Sequence, residues 1–150
     1  MASTTQPSWD EHTLATLAQA GFRRGGARNA VVELLAAQDC ALTAQEIDER
    51  LRADGRAVGR ASVYRILELF TELKLVTRID VGQGVARYEP LQPGGDHHHH
   101  LVCDRCGRIA PFEDPALEQA IERVSRRLSF AVADHDVVLR GTCGDCRPSA

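Results

Sequence analysis

No apolar run in the 150 residues approaches the roughly 18 needed for a membrane-spanning helix. The opening stretch, MASTTQPSWDEH, is polar and acidic, with neither the basic segment nor the apolar core expected of a signal peptide. Positive charge is not in excess either. Lys and Arg number 18 against 21 Asp and Glu, a net charge of −3 that does not mark a nucleic-acid binder. No HExxH pattern occurs, which removes a common signature of zinc hydrolases. Neither Cys-x-x-Cys pair sits in the βαβ context of a thioredoxin-like redox motif. These absences point to a cytoplasmic chain that is not an enzyme, in which paired cysteines mean metal more often than disulfide.

What is present suggests two halves with different vocabularies. Hydrophobic residues make up 43% of the chain, enough for a real core, but at this length two domains would each be marginal. Domains that small are often completed by a metal, disulfides or a partner subunit. The expected fold class is α+β, with an N-terminal winged helix-turn-helix domain over 1–90. A hinge over 91–96 (LQPGGD) would lead into a small C-terminal α/β domain over 97–150 with a four-cysteine zinc site.

The first half reads as helices. DEHTLATLAQAGF spaces Leu14, Leu17 and Ala18 along one face and stops near Gly21, and ARNAVVELLAAQ does the same with Ala30, Val31, Leu34 and Leu35. LTAQEIDERLRADG opens on Thr43 with Glu46 three residues later, a capping box, and Gly55 ends it. GRASVYRILELFTELKL carries one stripe of Val63, Ile66, Leu67, Phe70 and Leu73. The period then changes, and VTRIDVGQGVARYEP reads as a hairpin turning at GQG. Helices followed by a hairpin give the winged-helix plan, with Leu42–Ala53 as the first helix of the motif and Arg60–Leu73 as the second, recognition helix. A purely structural helical module fits the same pattern. Arginines at 50, 52, 56, 60 and 65 crowd this region, which taken alone describes a solvated helix face.

The second half reads as a strand over 97–103, another in RIAPFED, a helix in PALEQAIERVSRRL with Pro115 in its first turn, and a final strand in FAVADHDVVLRGTC. Cys103, Cys106, Cys143 and Cys146 form two CxxC loops with 36 residues (107–142) between them. Each loop aims two thiolates at one point, so the pair supplies a closed tetrahedral set for structural Zn²⁺; two disulfides or a redox pair is the alternative. Cys40 stands alone, as a small buried hydrophobe does.

Four histidines, 97 to 100, precede the first CxxC. An expression tag would have this composition, but tags sit at termini. On a strand, His97 and His99 share one face while His98 and His100 share the other, so the run offers two ligands to each of two sites. Glu118 and His135 are candidates to complete the first pair, and Glu89 to join the second. Any one of the three taken singly reads as a surface residue.

GRASVYRILELF, HHHHLVCDRCG and HDVVLRGTCGDC, in that order, resemble the ferric uptake regulator superfamily of bacterial metal-responsive repressors, from about Gly21 to Cys146. The resemblance implies a winged-helix domain, a C-terminal dimerisation domain, and a homodimer on palindromic DNA operators that represses metal-homeostasis genes when metal-loaded. It implies structural zinc on Cys103, Cys106, Cys143 and Cys146, and a regulatory site including Glu89, His98 and His100 that takes Fe²⁺, Zn²⁺ or Mn²⁺, iron being favoured. A second site on His97, His99, Glu118 and His135 follows in the same way. For DNA it implies Tyr64 and Arg65 in the major groove with Ser62 beside them, Arg23 near the minor groove, and Arg28 at the backbone. Arg56 and Arg60 are expected at phosphates, and Tyr64 has a core position beside Val63 as its alternative.

The chain departs from the family's pattern in three places. Ala41, with Cys40 beside it, stands where iron sensors usually place a histidine. Pro111 stands where they place a glutamate, and YEPLQPGGD lacks the cysteine of zinc sensors. A zinc uptake regulator and a peroxide sensor are the alternatives within the family. A peroxide sensor usually prefers an aspartate among its sensing ligands. A zinc store is the alternative outside the family, and it would need neither the VYR helix nor the hairpin.

Overall fold

The structure, a computed structural model, describes residues 6–38, 41–94 and 97–148. It is α+β and divides into two compact units, Met1–Asp96 and His97–Ala150.

The first unit opens with α1 (Trp9–Gln19), where the Glu11 carboxylate accepts from the Ser8 N–H at 3.1 Å. Trp9 is buried, and its indole Nε1 donates to the Leu75 carbonyl at 2.7 Å, which pins the start of α1 to the start of the hairpin. α2 (Gly26–Ala36) buries Ala30, Val31, Val32, Leu34 and Leu35, more than half of its circumference, and leaves Glu33 and Ala36 exposed. α3 (Ala44–Ala53) has the expected cap: the Glu46 N–H donates to Thr43 Oγ1 at 3.1 Å and Glu46 Oε2 accepts from the Thr43 N–H at 2.8 Å. It ends where Gly55 takes φ +72° and the Arg56 N–H reaches back to the Leu51 carbonyl. α4 (Arg60–Glu72) buries Val63, Ile66, Leu67 and Phe70.

Leu42 and Thr43 are not the first turn of α3, as the periodicity suggested. They form a short strand, β1 (Leu42–Thr43), that pairs with Tyr88 and Arg87. The hairpin is β2 (Val76–Gly82) and β3 (Val85–Pro90), and the antiparallel sheet has the order β1-β3-β2. Its two-residue turn puts Gln83 at φ +55° and Gly84 at +73°, the left-handed pair that matches strand twist. Arg87 donates to the Ala41 carbonyl and to Glu46 Oε2, both at 3.1 Å, tying the hairpin to the cap of α3.

In the second unit β4 (His99–Cys103) is the central strand, with β5 (Ile109–Phe112) antiparallel on one side and β6 (Val138–Gly141) parallel on the other. α5 (Pro115–Arg127) is capped by Asp114, whose Oδ1 accepts from the Ala116 and Leu117 N–H groups at 2.8 and 3.2 Å. No residue of α5 is buried.

Two strand boundaries differ from the sequence reading. β4 starts at His99, not His97. The final strand, expected over Phe130–Cys143, is regular only at Val138–Gly141. The alternation of Phe130 and Val132 resembles a half-buried strand, yet these side chains are 73% and 48% exposed and have no neighbouring strand among the described residues.

Candidate metal centres and nucleic-acid interface

Cys103 ends β4, and a turn brings Cys106 back beside it, closed by the Gly107 N–H to Cys103 carbonyl bond at 2.9 Å. Cys143 caps a one-turn 3₁₀ helix, Gly144–Cys146, just after β6, and Cys146 is its last residue. Because β6 runs parallel to β4, both loops arrive at the same end of the sheet. The four Sγ atoms lie within 4.8 Å of one another, and Cys106 and Cys143 are 3.7 Å apart. A tetrahedron of thiolates about 2.3 Å from a zinc ion has edges of about 3.8 Å, so the spacing fits. None of the four is joined in a disulfide in this structure. The Cys143 N–H, with that of Cys106, holds the Cys103 thiol down to about 6, while the crowded thiols of Cys143 and Cys106 push Cys146 up to about 12. Four gathered sulfurs resist full ionisation, and a bound dication reverses that preference. Arg108 pairs with Asp145 at 3.1 Å and Arg105 donates to the Cys146 carbonyl at 3.3 Å, fastening one loop to the other.

The alternation of the histidine run holds even though β4 begins at His99. On one face, His99 Nε2 is 2.6 Å from Glu118 Oε1 and His135 Nε2 is 2.9 Å from Glu118 Oε2. His97 Nε2 lies 3.0 Å from His135 Nε2 and 3.6 Å from Glu118 Oε1. Three ring nitrogens and a carboxylate thus converge from β4, the segment before it, α5 and the approach to β6. Tetrahedral ligands about 2.0–2.1 Å from zinc stand about 3.4 Å apart, inside the observed spread. The His99 ring holds the Glu118 carboxyl below the usual carboxylate range, with His135 and His97 adding to it. On the opposite face the rings of His98 and His100 lie 4.8 Å apart, His100 buried and His98 half-buried. Glu89 is half-buried near the end of β3 in the first unit, opposite Thr77. Cys40 falls outside the described residues; Ala41 is buried at the entry to β1.

The outer face of α4 presents Arg60, Ala61, Tyr64, Arg65 and Glu68, with Ser62 half-buried. Tyr64 is 47% exposed, so the alternative that placed it in the core is set aside. The arginines are tethered rather than loose. Arg56 pairs with Glu33, Arg60 with Asp48, and Arg65 Nε donates to the Ala61 carbonyl at 3.4 Å. Arg28 donates to the Arg23 carbonyl at 3.0 Å, its guanidinium 5.4 Å from the centre of the Phe22 ring. Sequence reasoning overlooked Asp48. Its signal was a carboxylate flanked by Ile47 and Leu51 on the apolar side of α3, with arginines four and twelve positions on.

Residues 19–140 match the model of the ferric uptake regulator family. The ferric uptake regulation protein of Bacillus subtilis is 39% identical over 114 residues, covering 75% of this chain and 76% of its own. The peroxide-responsive repressor of Staphylococcus aureus is 30% identical over 138 residues, covering 91% and 90%. Among solved structures, the Helicobacter pylori ferric uptake regulator, described as having three functional metal binding sites, superposes with a TM-score of 0.84 at 26% identity, covering 95% of this chain and 93% of that one. With donor clusters of the family's ligand chemistry and an arginine-bearing helix-turn-helix, the chain belongs to the ferric uptake regulator family of metal-responsive transcriptional regulators.

Proposed function

We propose that this protein is a metal-dependent repressor that binds palindromic operators as a homodimer when metal-loaded, with iron as the favoured signal. The four-sulfur set Cys103, Cys106, Cys143 and Cys146 holds a structural zinc; it is coordinatively closed, which leaves no position for a catalytic water. Glu89, His98 and His100 belong to the regulatory site, and His97, His99, Glu118 and His135 form the second site. Metal then tightens DNA binding by favouring the arrangement of the two units that can dock.

The observation that carries this reading is the pairing of a second unit built from ligand side chains with a first unit that exposes Tyr64 and Arg65 on α4. Arginine suits phosphate or guanine, and the tyrosine ring suits a thymine methyl. Arg56 and Arg60 serve as phosphate contacts, with Arg23 and Arg28 on the flank and Ser62 beside the groove. Exposed Leu128, Phe130 and Val132 in the second unit support association with a second copy. Among the described residues no helix is long and apolar enough to cross a membrane, and we place the protein in the cytoplasm.

The His and Glu donors suit Fe²⁺, Mn²⁺ and Zn²⁺ alike, so a zinc uptake regulator is the second reading. A peroxide-sensing role gains support from the Staphylococcus relative. The test is elemental analysis of untagged protein, then titration of binding to a palindromic A/T-rich duplex with each metal. One tightly held zinc per chain with binding switched on by micromolar Fe²⁺ or Mn²⁺ is expected. His98→Ala should abolish the metal stimulation while leaving the fold and the structural zinc intact. Switching by sub-nanomolar Zn²⁺ alone selects the zinc reading, and DNA binding indifferent to every metal contradicts both.

A further inference from the structure

Asp48 is completely buried on the face of α3 that also carries Ala44, Ile47 and Leu51, where an apolar residue would serve the core. Its Oδ2 accepts from Arg60 Nε at 3.3 Å and lies 3.4 Å from an Arg52 terminal nitrogen. Oδ1 has no hydrogen-bond partner among the described residues. Arg52 sits one turn along α3, and Arg60 is the first residue of α4. One buried oxygen therefore joins both helices of the motif to two guanidinium groups whose side chains are 62% and 57% exposed.

As a source of stability this is a poor arrangement. A desolvated carboxylate held by two long contacts to cations that remain in water returns less than a packed apolar side chain would. What the carboxylate does achieve is placement. It fixes two long, otherwise mobile side chains next to each other at the edge of the DNA-reading helix. Arg60 engages Asp48 through Nε alone, which leaves its two terminal nitrogens for a second oxyanion.

We propose that Asp48 is a positioning residue for DNA docking: from inside the motif it holds Arg60 and Arg52 side by side so that they grip one backbone phosphate of the operator. This inference rests on the DNA-binding reading above. Two guanidiniums sharing one carboxylate keep one net positive charge, which a phosphate neutralises. Because both side chains are already ordered, docking loses less rotamer freedom. The contact fixes the register of α4 without reading a base.

Charge and placement make opposite predictions for Asp48→Asn, which makes the inference testable. Removing an anion beside a phosphate site would, by charge alone, tighten binding. Losing the clamp would weaken it. The experiment uses the metal-loaded full chain and one palindromic duplex, with affinity measured by fluorescence anisotropy across a salt series for wild type, Asp48→Asn, Asp48→Leu and Arg65→Ala. The expected result is that Asp48→Asn binds roughly tenfold more weakly, with a salt slope shallower by about one per recognition helix. Asp48→Leu should bind as weakly even where its melting temperature equals or exceeds that of wild type, which separates positioning from core packing. Affinity unchanged or tightened in Asp48→Asn, or an unchanged salt slope, overturns the proposal. So does recovery of affinity in Asp48→Leu in step with stability. If Arg65→Ala weakens binding while Asp48→Asn does not, this inference alone fails. If wild type does not bind, or Arg65→Ala has no effect, the DNA-binding reading fails with it.

Discussion

In the first unit Val31, Leu35, Ile47, Val63, Leu67 and Phe70 are essentially inaccessible to water, drawn from three helices that pack on one another. In the second unit the buried side chains among the described residues are Val102, Cys103, His99 and His100, and three of those four are of metal-ligand type. The first unit has the apolar interior of an ordinary small domain. The second has a three-stranded sheet and a helix with no buried residue, and apart from Val102 its buried positions carry donors. Where hydrophobic burial is scarce, metal binding free energy becomes folding free energy. On the proposed reading the two units are held by different physics: one by excluding water, the other by coordination and by a second copy covering Leu128, Phe130 and Val132.

That contrast can be broken by removing one kind of support at a time. The largest effect is expected from Cys143→Ser, which forfeits a share of the ~10–16 kcal/mol typical of structural zinc. The second unit should lose zinc and ordered structure while the helical signal of the first persists; elemental analysis with circular dichroism checks this. Phe70→Ala should do the reverse, costing the first unit about 3–5 kcal/mol in denaturant unfolding with zinc content unchanged. Glu118→Gln removes the carboxylate shared by His97, His99 and His135. It should weaken the second metal site about ten- to a hundredfold by calorimetry without touching the four-sulfur site. The smallest effect belongs to Thr43→Ala, which loses the cap of α3 for about 1 kcal/mol, confined to the first unit.

The same contrast explains what the sequence made legible. Local rules carried the first unit: the Thr43–Glu46 cap, the stripe of Val63, Ile66, Leu67 and Phe70, and the GQG turn were all readable because each depends on residues within a few positions. The strand at Leu42–Thr43 was not, since two residues become a strand only by pairing with Tyr88 and Arg87 more than forty positions away (42↔88, 43↔87). In the second unit the strand period of two is enough to sort His97 and His99 from His98 and His100. The expected strand at Phe130 failed for the opposite reason: the pattern of a half-buried strand is present, but no partner strand lies among the described residues to bury it. Asp48 was missed because an aspartate in the charged run Asp48-Glu49-Arg50 looks like an exposed helix position, although it shares the face of Ala44, Ile47 and Leu51.

The most direct test is amide hydrogen exchange on the full chain before and after zinc is stripped with a chelator, read separately for α2–α4 and for β4–β6 with α5. Division of support between burial and coordination predicts that amides of β4, β5, β6 and α5 lose their protection when zinc leaves, while those of α2, α3 and α4 keep theirs. Protection in the second unit that survives zinc removal, or protection lost from both units together, would contradict it.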